Sequence, residues 1–159
     1  MGATATAAIT AADVCRGVTR LLAQAGMAAI PEVPLPNGRR ADLLGIDAKG
    51  QLVIVEIKVS RADLLGDSKW PDYCPWCDRF YWALAAGLDP AILETPDYRP
   101  DMAGLIVADR YGAAVVREAA VEPIAPARRK TETLRLARIA MRRLMLTADP
   151  ECNADWADG

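Results

Sequence analysis

Leu52-Val53-Ile54-Val55 is apolar at four successive positions. Neighbouring side chains on a strand point to opposite faces, so such a run puts apolar groups on both. A strand of that kind is covered from both sides, which calls for a layered α/β domain. With 159 residues the chain has material for about one domain of this kind. Its surroundings read as a small mixed sheet. Ile30 to Leu35 carries Pro31 and Pro34 and is expected as an edge strand. Asn37-Gly38 signals a hairpin turn into a second strand, Arg40 to Ile46. Asp47-Ala48-Lys49-Gly50 turns the chain into the third strand, Leu52 to Val59.

Before these strands, Thr10 and Asp13 look like a helix cap. They precede an apolar stripe, Val14, Val18, Leu21, Leu22 and Ala25, which ends at Gly26. After them, Ser60 and Asp63 cap a short helical piece, and a second piece runs from Ser68 to Cys77 with Pro71 in its first turn. Phe80 to Leu84 is a fourth strand on its aromatic content. A short helix fits Ala91 to Glu94, and Gly104–Ala108 with Ala113–Arg117 forms a hairpin. Residues 127–146 make a final helix. The expectation is a single domain over residues 1–150 with a flexible tail at 151–159, and a central mixed sheet flanked by helices.

Composition narrows the chemistry. The chain has no histidine, which removes Ser-His-Asp and Cys-His catalysis, His-ligated zinc and a histidine general base. Neither G-x-x-x-x-G-K-[ST] nor G-x-G-x-x-G occurs. Any catalysis rests on carboxylates, Lys, Tyr, Cys or a metal with oxygen ligands. Cys74-x-x-Cys77 lacks the second pair that a zinc ribbon needs. Asp72 and Asp78 near it oppose thiolate formation, so these read as ordinary thiols. No apolar run is long enough to span a membrane. The first basic residue is Arg16, which leaves the start without the charged segment of a secretory signal. The expected location is cytoplasmic.

Charge is segregated along the chain. Residues 127–146 hold seven basic residues against Glu132 alone, a net +6 in a chain of net charge −2. At about 100° per residue, Arg128, Arg135, Arg138 and Arg142 form one stripe. Such a stripe is either a solvated face or a phosphate-binding face for DNA.

The segment with chemical content is Arg40-Ala41-Asp42-Leu43-Leu44 followed by Val55-Glu56-Ile57-Lys58. Glu56 and Lys58 share a strand face, and Asp42 lies on the preceding strand, within reach across the sheet. Two close carboxylates beside a lysine at the end of a buried strand are costly unless paired or bound to a metal. Hard oxygen donors of this kind suit Mg²⁺ or Mn²⁺.

This pattern resembles the PD-(D/E)XK nuclease superfamily, with Ala41-Asp42 in place of its Pro-Asp and Glu56-Ile57-Lys58 as its E-x-K. Ser60-Arg61-Ala62-Asp63, Lys69-Trp70-Pro71-Asp72-Tyr73 and Cys77-Asp78-Arg79-Phe80-Tyr81 make it similar, more narrowly, to the MmcB family of DNA-repair proteins. The resemblance implies a restriction-endonuclease-like αβββαβ core and a Mg²⁺- or Mn²⁺-dependent endonuclease acting on DNA in repair. It implies that Asp42, Glu56 and the main-chain carbonyl of Ile57 hold the metal, with Lys58 orienting or activating the attacking water. Glu32 is a candidate to complete the metal shell; the first helix offers only Asp13 for that task. Lys69, Asp72 and Asp78 are expected to support the site or face DNA, and Trp70 and Tyr73 are candidates to stack on bases or to be core. A second copy or a repair-protein partner is a further expectation. The alternative is a non-catalytic DNA-binding module on the same scaffold.

Overall fold

The computed structural model describes residues 8–153. The chain divides into two compact units, one ending at Pro123 and one starting at Ile124.

The first unit has the expected αβββαβ order. Helix α1 (Ala11–Gln24) opens with a capping box: Asp13 N donates to Thr10 Oγ1, and Asp13 Oδ2 accepts from Thr10 N. Strands β1 (Ala28–Pro34), β2 (Arg40–Ile46) and β3 (Leu52–Lys58) follow, then α2 (Arg61–Leu65), β4 (Arg79–Ala85), β5 (Gly104–Ala108) and β6 (Ala113–Arg117). They form one six-stranded mixed sheet in sequential order. The β1–β2, β2–β3 and β5–β6 pairs are antiparallel, while β3–β4 and β4–β5 are parallel. Every residue of β3 is buried, as its two-sided apolar run requires. The Pro-bearing strand β1 is at the edge.

Each face of the sheet has its own cover. On one, Val14, Val18 and Leu22 of α1 pack on Leu43, Val53, Val55, Ile57, Ala83 and Ile106. The helix comes close at Gly17, where a Cβ would sit 2.6 Å from the Gly112 carbonyl oxygen. The other face is aromatic. A 3₁₀ segment, Trp70–Trp76, contains Pro71 and Pro75, which remove the amide donors an α-helix would need. Its Trp70 lies 5.4 Å from Phe80 and 5.7 Å from Trp82 between ring centroids, and Tyr73 stacks on Phe80. Trp70 and Tyr73 are therefore core residues and not base-stacking ones: both are buried.

The second unit contains α3 (Pro126–Ala148), with proline in its first turn, and a 3₁₀ turn at Pro150–Cys152. The expected tail thus begins with an ordered turn; residues 154–159 lie outside the described residues. Arg128, Arg135, Arg138 and Arg142 all belong to α3, as the spacing predicts. Among the described residues no helix is long and apolar enough to cross a membrane.

Candidate metal centre

The β2–β3 ladder runs from Ile46↔Leu52 to Leu43↔Val55 and stops there. The next residues in register are Asp42 and Glu56. Here the ladder gives way to side chains. Glu56 Oε1 accepts from the Asp42 amide at 3.2 Å, and Asp42 Oδ2 accepts from the Ile57 amide at 2.7 Å. Each carboxylate thus satisfies a main-chain donor on the opposite strand where the strands part. This crossed pair brings the two acids together, and each keeps a second oxygen.

Burial makes that arrangement electrostatically demanding. Glu56 is only 4% exposed. Desolvation, reinforced by the Asp42 carboxylate, pushes its pKa up to about 8 against the pull of its bond from the Asp42 amide. Desolvation also raises Asp42, offset by the Ile57 amide. With Glu56 buried and Asp42 half-buried beside it, the two acids can both ionise only with a compensating cation. That demand fits a divalent ion such as Mg²⁺ or Mn²⁺, which uses one or two carboxylates and completes its shell with water and phosphate oxygens. Among the described residues no group of three or more Cys, Asp or Glu side chains converges, so Asp42 and Glu56 act as a pair.

Lys58 is on the same face and its charge reaches both acids, but its direct ion pairs are with other carboxylates. Its Nζ lies 2.8 Å from Asp67 Oδ2 and 3.8 Å from Asp63 Oδ1. The Trp82 ring is 5.9 Å away. Burial disfavours the ammonium, but the Asp67 hydrogen bond and the charges of Asp67, Asp63 and Glu56 outweigh it and hold the pKa above the ordinary lysine value. No motif or spacing in the sequence singles out Asp67. Ser60 accepts from Asp63 N and folds α2 back directly after β3. That turn is legible in Ser60-x-x-Asp63, whereas the approach of Asp67 is a tertiary consequence.

The remaining candidates are dispersed. Glu32 does not join as a third acid: its backbone is left-handed, with φ 52°, and its exposed carboxylate pairs with Arg40 at 3.6 Å. Asp13 is engaged in the α1 cap and with Arg16. Asp78 is neither beside the acid pair nor facing DNA. It is 2% exposed and accepts from Leu52 N at 2.7 Å, at the opposite end of β3. Asp72 ties down the β1–β2 hairpin, with Arg39 at 2.7 Å and its carbonyl accepting from Asn37. Lys69 is exposed and precedes the 3₁₀ segment. On α3, Arg135 pairs with Glu132 at 2.6 Å. The thiols are deactivated: burial raises Cys74 to about 11 and Cys77 well above the usual range.

Among solved structures, a protein of unknown function from Silicibacter pomeroyi, SPO1766, is similar with a TM-score of 0.79 and 39% identity, covering 91% of this chain and 94% of that one. The structure of Pyrococcus furiosus SfsA in complex with Ca²⁺ is far more distant, with a TM-score of 0.35 and 18% identity over 67% of this chain and 60% of that one. None of the curated proteins matches. The model of the MmcB-like family, described as DNA repair protein MmcB-like, matches residues 3–151, nearly the whole chain. The chain belongs to the MmcB-like family of DNA repair proteins.

Proposed function

We propose that this protein is a divalent-metal-dependent DNA phosphodiesterase, an endonuclease of PD-(D/E)XK type, with Asp42 and Glu56 as its metal-binding acids. The observation that carries the reading is the crossed Asp42–Glu56 pair, a half-buried and a buried carboxylate where β2 and β3 part, the second of which keeps its proton up to about 8. Bound Mg²⁺ or Mn²⁺ would stabilise charge on a scissile phosphate and lower the pKa of a bound water.

The chain's own groups have separable tasks. Glu56, once its proton is released to solvent, and Asp42 would each offer a carboxylate oxygen to the metal. The Ile57 carbonyl is the third donor in this reading. Lys58, whose raised pKa favours the ammonium and whose charge reaches both acids, would orient a water or phosphate oxygen as a cation and donor. Arg128, Arg138 and Arg142 of α3 supply cations for the DNA backbone, with Arg135 moderated by Glu132.

The test is nicking of labelled linear and branched duplexes with Mg²⁺, Mn²⁺ or EDTA. The expected result is metal-dependent cutting that Glu56→Ala reduces at least about a hundredfold, in keeping with loss of electrostatic stabilisation. DNA retention without cutting under every metal condition would instead make the protein a binding module.

A further inference from the structure

We propose that Asp67, backed by Asp63, holds the Lys58 ammonium away from Asp42 and Glu56 and so keeps that carboxylate pair open to a divalent cation. This rests on the metal-centre reading above and adds a positioning residue to it. Lys58 follows Glu56 by two residues on one strand face, and a lysine carries its charge on a flexible four-carbon stem. The acid pair, buried at Glu56 and half-buried at Asp42, is the obvious partner for such a charge. If the ammonium settled there, it would act as an internal counter-ion and compete with the metal.

The structure provides a different resting place. Among the described residues, the ion-pair partners of Lys58 are Asp67 and Asp63. Both come from the α2 turn, which Ser60 caps immediately after β3. The Lys58 side chain is 8% exposed and that of Asp67 is 13% exposed, so solvent screens this pair little. The Trp82 ring, the cross-strand neighbour of Glu56, lies 5.9 Å from Nζ and gives the ammonium a further favourable surface. Three protein contacts thus specify where the charge sits.

The test is Mn²⁺ affinity, measured by calorimetry on wild type, Asp67→Ala, Lys58→Met and the double variant. In wild-type background, Asp67→Ala is expected to weaken Mn²⁺ binding about tenfold, because Lys58 is released onto Glu56. In the Lys58→Met background the same change is expected to cost less than about threefold, a coupling in the range seen for residues in one charge network. Asp67→Asn, which keeps an oxygen acceptor and loses the charge, is expected to fall between wild type and Asp67→Ala and substitutes for it if alanine impairs folding. Equal losses in both backgrounds would overturn the proposal, since Asp67 would then act by its own charge or through the fold. If wild type bound no Mn²⁺, the metal-centre reading itself would fall and this inference with it.

Discussion

At Glu56, burial and the Asp42 carboxylate act in the same direction, and the side chain keeps its proton to about 8, against 4.5 for an ordinary glutamic acid. Between those values the folded protein binds a proton that the unfolded chain has released. This contribution to stability is complete below about 4.5 and is lost as pH rises through about 8. The shift corresponds to about 5 kcal/mol at most, on the scale of about 1.4 kcal/mol per unit. Thermal unfolding of the metal-free protein from pH 5 to 9 checks this. Glu56→Gln, which cannot ionise, is expected to flatten the decline and to be the more stable form at pH 8.5. An unchanged slope in the variant would place the titrating group elsewhere. Lys58 behaves differently, because its raised pKa keeps it charged throughout that window. Asp78 tests a structural role. Removing its carboxylate as Asp78→Ala leaves the buried Leu52 amide unpaired, a cost of about 1–3 kcal/mol. Denaturant unfolding should show that loss while Mn²⁺ affinity stays within about twofold of wild type.

Among the elements, those with strong patterning are legible in the sequence. The two-sided run at Leu52–Val55 marks the buried strand, and Asn37-Gly38 marks the hairpin. Ser60-x-x-Asp63 marks α2. Strand alternation also places Asp42 and Glu56 within reach of each other. It does not reveal that the β2–β3 ladder ends just before them, because that depends on side chains replacing main-chain bonds. Glu32 is illegible for a related reason: a left-handed residue in β1 leaves no trace in periodicity, and it carries the carboxylate toward Arg40. Close approaches are equally silent. Gly17 has no turn to make, yet a Cβ there would meet the carbonyl oxygens of Gly112 and Asp109 at 2.6 and 2.8 Å. Backbone atoms cannot swing aside, so Gly17→Ala is expected to destabilise by about 1–3 kcal/mol despite better helix propensity. A melting temperature equal to wild type would show that α1 shifts without cost.

For the molecule as a whole, charge and chemistry lie on different parts of the chain. The acid pair belongs to the first compact unit, and the net +6 of residues 127–146 belongs to the second. If α3 supplies phosphate contacts, DNA affinity should fall steeply with salt, and Arg138→Ala should reduce the slope of log K against log[salt] by about 0.9. A slope unchanged by that substitution would return α3 to a solvated face. The metal centre makes the more direct prediction. A ligand that binds only the folded state and displaces a proton must show both effects in one experiment. The deciding measurement is calorimetric titration of Mn²⁺ at pH 7.5 in two buffers of different ionisation heat, with wild type and Glu56→Ala compared. The account predicts saturable binding with release of about one proton per cation, and loss of both in the variant. Absence of saturable heat in wild type, or heat that survives Glu56→Ala, would contradict it.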